Sequence, residues 1–220
     1  MKNRLLAFVG LLVYVVLANA VPASAQGPMR PVEVPKDPEY TRLLDKLKDG
    51  DTGVDYKALR LAFARSGAPG VRGVDPKIRL KLAEAVKAKK YEEVAKTAQE
   101  ILKIHFLDLN IHAVAAAAYE ALKDTKKYNY HQAIYLGLIN SIVNGADGES
   151  AKTAYVVVVP DEINAVLKAY ELQRTANEMI TEGTSRYEVV TVTDKANGAV
   201  SKVYFNIDLM PKPPERPARP

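Results

Sequence analysis

The sequence predicts an α+β fold that is mainly helical, with a helical-hairpin body followed by a small C-terminal part that contains a β-hairpin. Between residues 40 and 145, apolar residues recur at intervals of three and four, as on one face of an α-helix. After Gly145, β-branched and aromatic residues form short runs between turn clusters. The chain has no cysteine, which excludes disulfides, thiolate nucleophiles and lipid attachment at a cysteine.

The N-terminus has the composition of a cleavable export signal. Two basic residues precede an apolar segment, residues 5–18, which is shorter than the about 20 residues needed to span a bilayer. Ala23 and Ala25 then supply the small side chains that a signal peptidase accepts. We therefore predict a signal peptide over residues 1–25 and a soluble product in the periplasm or outside the cell, with no membrane insertion after cleavage.

Proline content marks both ends of the remaining chain. Residues 26–39 contain several prolines, which is typical of an extended leader, and residues 210–220 form a Pro-rich tail that we predict to be disordered. Between them we predict one compact domain over residues 40–209. Its helical part covers residues 40–145 and its α/β part covers residues 146–209.

The charge balance argues against a nucleic-acid partner. The formal net charge is only +5, and two of the basic residues belong to the predicted signal. Lysines are frequent over residues 77–103, but glutamates are interspersed among them. A nucleic-acid-binding surface shows a dense basic stripe instead, so we interpret this stretch as a solvated helix face.

Helix boundaries are predicted from apolar spacing and capping residues. Asp55 and Asp75 precede amphipathic stretches as N-caps, and Pro76 suits the first helical position. From Tyr91 to His105, apolar residues follow a continuous helical face. The predicted helices are residues 40–48, residues 55–65, a helix opened by Asp75, residues 91–105, residues 111–122 and residues 130–143.

The sequence predicts a turn at residues 107–110. Asp108 or Asn110 can cap the helix that follows this turn. Residues 91–105 and 111–122 are therefore expected to form two antiparallel helices.

Small residues are expected to hold this helical hairpin together. The alanines at residues 115–118 would lie opposite Ala95 and Ala98, where small side chains let two helix backbones approach closely. With Tyr91 and Tyr119 at the ends of the pattern, the pair resembles a tetratricopeptide-type helix pair. That resemblance implies a repeat-like helical hairpin.

The C-terminal part is expected to contain three strands. Residues 153–159 are β-branched and aromatic and predict a buried strand, after which Asp161 caps a helix to about residue 172. Residues 185–193 and 199–208 predict two further strands. Asn197-Gly198 would supply the positive φ angles of the hairpin loop between them.

Four residues are the candidates for a metal site. On one unbroken helix, His105, Asp108 and His112 would share a face and offer two nitrogen ligands and one oxygen ligand, with His131 as a further histidine. The alternative, which we favour, is that the histidines are packed core residues and that the turn at Asp108 separates them. We therefore predict no catalytic, cofactor-binding or metal-binding residues.

Several short patterns follow one another along the chain. They are DY at 55–56, ALRLAF at 58–63, Asp108 with His112, His131, GLINSI at 137–142, DGES at 147–150, TAY at 153–155 and YFNI at 204–207. This order resembles a family of exported bacterial proteins known only as a domain of unknown function (DUF4919). The resemblance spans about residues 40–209 and implies export and a single compact unit, but no activity.

The sequence favours a non-enzymatic interaction module of the cell envelope. Its helical hairpin would present a surface to a protein or peptide partner. The alternative is an envelope enzyme or a divalent-metal-binding protein that uses His112, His131 and Asp108. A metal site requires these side chains to converge in a cleft. The sequence leaves the oligomeric state open.

Overall fold

The computed structural model describes residues 37–66 and 74–211. The predicted signal peptide (1–25), most of the predicted leader and residues 212–220 of the predicted tail lie outside the described residues. No helix in the two described ranges is long and apolar enough to cross a membrane.

Helices occupy about the first two thirds of the described chain, and a small sheet with one further helix occupies the rest. In order along the described residues, the elements are α1 (Pro38–Lys48), α2 (Tyr56–Arg65), α3 (Pro76–Lys87), α4 (Tyr91–Ile104), α5 (Leu109–Ala121), α6 (Thr125–Val143), a 3₁₀ turn (Ala151–Thr153), β1 (Tyr155–Val156), α7 (Pro160–Ala169), β2 (Leu172–Glu182), β3 (Ser185–Asp194) and β4 (Val200–Asn206). The predicted class, a mainly helical α+β fold, is confirmed.

Aspartate side chains start five of the described helices. Each accepts a hydrogen bond from a backbone N–H in the first helical turn, which has no partner within the helix. These N-caps are Asp37, Asp55, Asp75, Asp108 and Asp124. The caps predicted at residues 55 and 75 are confirmed, whereas α1 begins two residues and α6 five residues before the predicted starts.

A turn between α4 and α5 is confirmed, but it covers residues 105–108 and not 107–110, because α5 already begins at Leu109. α4 ends at Ile104, and Asp108 caps α5. Ala95 and Ala98 of α4 share one core cluster with Ala115 and Ala118 of α5. The two helices therefore pack through small residues, as predicted.

The four strands form one mixed sheet in the order β1-β4-β3-β2. β1 runs parallel to β4, whereas β4 with β3 and β3 with β2 are antiparallel. Valines of β3 and β4 pack with α7 and with the end of α6 in one core cluster. The hairpin between β3 and β4 is confirmed, but of the predicted Asn197-Gly198 pair only Gly198 has a positive φ, +72°.

The strand predicted over residues 153–159 is mostly wrong. The strand covers only Tyr155 and Val156, and Val157 adds one N–H bond of 3.1 Å to Asn206 of β4, although all three valines after Val156 are buried. The Glu162 carboxylate accepts a hydrogen bond of 2.7 Å from the N–H of Val158. Because the N–H of Val157 bonds to Asn206 of β4, the N–H of Val158 would face the open side of β1, and Glu162 gives this buried backbone group its partner.

The segment after this strand also departs from the prediction. α7 has Val159 as its N-cap residue and Pro160 at its start, so Asp161 lies in the first turn and is not the cap. The helix ends at Ala169 and not near residue 172, because Glu171 adopts a positive φ of +58° and redirects the chain. β2, which the sequence analysis missed, begins at the next residue.

Candidate functional site

The predicted metal candidates fall into two separate groups. His105 follows the last residue of α4, and its Nδ1 lies 3.8 Å from Oδ2 of Asp108. The same Asp108 oxygen accepts a hydrogen bond of 2.8 Å from Arg79, and its other oxygen caps α5 at Ile111. Burial raises the pKa of Asp108, but His105 and Arg79 outweigh it and hold this pKa below its ordinary value. Asp108 is therefore an ionised, structural carboxylate.

The second group is a pair of buried histidines. Nδ1 of His112 on α5 lies 2.9 Å from Nδ1 of His131 on α6. His112 Nε2 lies 2.7 Å from the carbonyl oxygen of Phe106, and His131 Nε2 lies 2.9 Å from the side-chain nitrogen of Gln99. The four groups form one continuous chain of hydrogen bonds.

The Phe106 carbonyl determines which nitrogen donates and which accepts in each of these hydrogen bonds. A carbonyl only accepts, so His112 carries its proton on Nε2 and its Nδ1 is an acceptor. His131 must then donate from Nδ1, which leaves its Nε2 to accept from Gln99. Both histidines are neutral in this arrangement.

Burial explains why both rings remain neutral. Burial, together with the adjacent His131, lowers the pKa of His112 to about 3. Burial, together with the charge of Lys127, lowers the pKa of His131 to about 4. Every ring nitrogen of the pair has a hydrogen-bond partner, and the lone pair of each neutral ring accepts one of these bonds.

The structure does not bring the alternative ligand set of His112, His131 and Asp108 together. His112 and His131 converge, but Asp108 is engaged by Arg79 and by the start of α5. Within the described ranges, no group of three or more histidine, aspartate or glutamate side chains could hold a metal ion. The histidine pair acts as a hydrogen-bonded core element that joins α5 to α6.

A cleft between α2 and α6, which the sequence analysis missed, is a candidate binding site. It is an open cavity of about 330 Å³. Eight residues line it: Val54, Asp55, Tyr56, Lys57, Gly137, Asn140, Ser141 and Asn144. The volume falls within the range of about 300–1,000 Å³ that is usual for ligand pockets.

A glycine contact forms one wall of the cleft. Gly137 lies directly against the ring of Tyr56, and a Cβ atom at this position would collide with that ring. The Tyr56 hydroxyl donates to the carbonyl of Thr52 at 3.0 Å. Burial raises the pKa of Tyr56 to about 12, so the hydroxyl keeps its proton. The ring of the tyrosine is thus held by packing against Gly137 and by the bond of its hydroxyl to Thr52.

A buried ion pair lies next to the cleft and contacts its lining residue Ser141. Arg60 binds both carboxylate oxygens of Glu162, at 2.7 and 2.8 Å, and both residues are at most 3% exposed. Its remaining donors reach Ser141 and the carbonyl of Val156. This single guanidinium connects α2, α6, β1 and α7.

The sequence does contain a signal for this pair. Leu59 and Phe63 of α2 are buried apolar residues, and Arg60 lies on the same face of the helix. A charged residue on an apolar face indicates a buried partner, because an unpaired buried charge is costly. The partner, Glu162, is distant in sequence and could not be identified from spacing.

The described side chains of the cleft offer binding groups more clearly than catalytic ones. Ser141 donates its hydroxyl to the Leu138 carbonyl at 2.7 Å, and Asp55 accepts from the N–H of Ala58 at 2.9 Å. Asn140 has a buried side-chain oxygen without a partner. Lys57 and Asn144 are exposed at the rim.

Comparison with known proteins identifies a family but no activity. A family model described as a domain of unknown function (DUF4919) matches residues 37–215. This match confirms the resemblance predicted from the sequence. Neither the curated proteins nor the solved structures contain a match to the chain.

Proposed function

The chain belongs to the DUF4919 family, a domain of unknown function, and from this premise we propose that it is an exported, non-enzymatic interaction module. Its partner is a protein or peptide, and a segment of that partner binds in the cleft between α2 and α6. The observation that carries the proposal is the cleft itself, which combines an aromatic wall, amide groups and a rim lysine.

Two of the patterns behind the family resemblance support this location. DY at 55–56 and GLINSI at 137–142 are far apart in the sequence, yet five of their residues line the same cleft: Asp55, Tyr56, Gly137, Asn140 and Ser141.

The uncommitted groups suit a polypeptide ligand. The exposed Asn144 amide can donate and accept hydrogen bonds, and the exposed Lys57 ammonium can donate to a carbonyl or a carboxylate. Ser141 and Asp55 are already engaged in helix hydrogen bonds. Binding is therefore better supported than catalysis.

Export rests on residues 1–25. The mature protein is expected to begin at Gln26, after the small residues Ala23 and Ala25. N-terminal sequencing of the secreted or periplasmic form measures this directly. A membrane-bound product that retains Met1 would overturn the export part of the proposal.

Capture from envelope extract tests the binding part. The tagged protein is compared with the double variant Lys57→Ala/Asn144→Ala, which removes two exposed rim groups, and with Lys96→Ala/Asn129→Ala, which removes the same residue types from exposed helix positions outside the cleft. Mass spectrometry should find a partner that the first variant loses and the second retains. A partner captured equally by both variants would place binding outside the cleft.

A further inference from the structure

β2 is an open edge of the sheet. It pairs with β3 on one side, and the sheet order places no strand on its other side in the described chain. Its residues from Gln173 to Met179 are all exposed. An edge strand of this length offers unpaired backbone groups to another strand.

Hydrogen bonds of β3 identify which residues of β2 face the open edge. The Arg186 carbonyl accepts from Ile207 after β4, whereas the Thr191 carbonyl accepts from the Thr175 hydroxyl of β2. Since antiparallel strands alternate, the odd-numbered residues of β3 bond to β2. Their opposite residues on β2 are Ala176, Glu178 and Ile180.

The intervening residues therefore point outward. Asn177, Met179 and Thr181 direct their N–H and C=O groups away from β3. No described part of the chain donates to or accepts from these backbone groups. The pairing is regular over this stretch, because the one bulge of β2 lies earlier, between Arg174 and Ala176.

The regular stretch is complementary to itself in one register. In an antiparallel pair related by a two-fold axis, directly opposite residues must belong to the same alternating set. An axis at Met179 pairs the whole stretch from Ala176 to Glu182 and places Asn177 opposite Thr181 of the second copy. All outward N–H and C=O groups of both copies then find partners.

The neighbouring registers are opposed by charge. An axis at Glu178 places two glutamates directly opposite each other, and an axis at Ile180 places Glu178 opposite Glu182. Like charges that face each other directly destabilise a strand pair. The axis at Met179 avoids both arrangements, and Met179, which is 61% exposed in the single chain, becomes covered.

We propose that a second copy of the chain pairs with β2, in an antiparallel two-fold dimer with Met179 at the axis. This assembly goes beyond the proposed function, because none of the residues lining the cleft takes part in it. It joins the two sheets into one continuous sheet and covers the β2 edge of each copy.

Disulfide trapping tests the register in this cysteine-free chain. In an antiparallel pair, two opposite residues that exchange hydrogen bonds have Cα atoms about 5.5 Å apart. This is a usual Cα separation for a disulfide. Met179→Cys in the protein without its signal should form a covalent dimer under mild oxidation. Gln173→Cys, on the far side of the bulge, and Thr181→Cys alone should remain monomeric. Cross-linking of Met179→Cys no greater than that of Gln173→Cys would overturn the proposal.

Sedimentation analysis tests the dimer without any cross-link. Met179→Pro removes an outward N–H and leaves the bonds to β3, as proline is tolerated at such edge positions. The unmodified protein should be a dimer, and the variant a monomer with an unchanged circular dichroism spectrum. A monomeric unmodified protein, or a variant that dimerises equally, would overturn the proposal. Lys57→Ala/Asn144→Ala should still dimerise, so failure of cleft binding and failure of the dimer are distinguishable.

Discussion

Arg60 is a charged residue on the buried face of α2, and its role depends on Glu162. The carboxylate is itself bound by the N–H of Val158, so the pair and the backbone form one connected network. Breaking a buried pair by removing one partner leaves an uncompensated charge. The contribution of Arg60 to stability therefore depends on the presence of Glu162, and the contribution of Glu162 depends on Arg60.

A double-mutant cycle measures this dependence. Arg60→Met and Glu162→Gln should each lower the free energy of unfolding by about 3–5 kcal/mol. The double variant has no buried charge, and its glutamine can still accept from Val158, so its loss should be smaller than the sum of the single losses. Urea denaturation of the four proteins gives the values, and additive losses would contradict the network.

The neutral histidine pair makes stability depend on pH. The folded-state pKa values of His112 and His131, about 3 and about 4, lie below the ordinary value of about 6.5. The unfolded chain therefore binds protons that the folded chain does not bind. The contribution of the pair to the free energy of unfolding is complete above about pH 6.5. It decreases as the pH falls toward 4, by up to about 1.4 kcal/mol per pH unit for each histidine.

Replacement of one histidine by asparagine tests this cause. His131→Asn keeps a side-chain N–H that can donate to His112 but does not titrate. Urea denaturation between pH 7 and pH 4.5 should show a shallower loss of stability for this variant than for the unmodified protein. Equal slopes would show that other groups control stability in this window.

The contact between α4 and α5 is tight because its residues are small. Ala115 is fully buried and shares a core cluster with Ala95 and Ala98. Ala116 is also buried but does not belong to this cluster. Position 115 is therefore the sharper place to test the helical hairpin.

Overpacking at this position should destabilise the protein. Ala115→Leu is expected to lower the free energy of unfolding by about 1–3 kcal/mol, because the larger side chain forces the two helices apart. Ala121→Leu makes the same change at the exposed end of α5 and should have little effect. Chemical denaturation midpoints compare the two variants, and an equal effect of both would contradict close packing at Ala115.

Local chemistry explains which elements could be predicted from the sequence. The caps at Asp55 and Asp75 act on backbone groups within three residues, so spacing alone reveals them. β2 is exposed along most of its length and has no alternating apolar residues, so it carries no strand signal. Its position is determined by the ladder to β3, which is a tertiary contact.

The cleft could not be predicted from the sequence, because it also depends on tertiary contacts. Its walls come from Tyr56 and from Gly137, which are remote in sequence and meet only when α2 packs on α6. The sequence favours packed core positions for the histidines, but the contact of His112 with His131 depends on the packing of α5 against α6 and is not visible in their spacing. Sequence spacing describes faces of single helices and not the contacts between them.

The helical part and the α/β part of the described chain share their cores. α6 contributes Leu138 and Ile139 to the cluster with α1 and α2, and it contributes Ile142 and Val143 to the cluster with the sheet. The Arg60 network crosses the same boundary. The secondary structure thus changes character near residue 145, but the helical part and the α/β part pack together across this point.

Truncation at this boundary should therefore abolish cooperative folding. A fragment of residues 26–145 loses Glu162, which leaves Arg60 without its carboxylate, and exposes the apolar end of α6 at Ile142 and Val143. The protein over residues 26–220 should unfold in one urea transition that is the same by far-UV circular dichroism and by tyrosine fluorescence. The fragment should show a broad transition with a smaller dependence on urea. A fragment with a sharp transition would show that the helical part is an independent domain, and the predicted single domain of residues 40–209 would then be wrong.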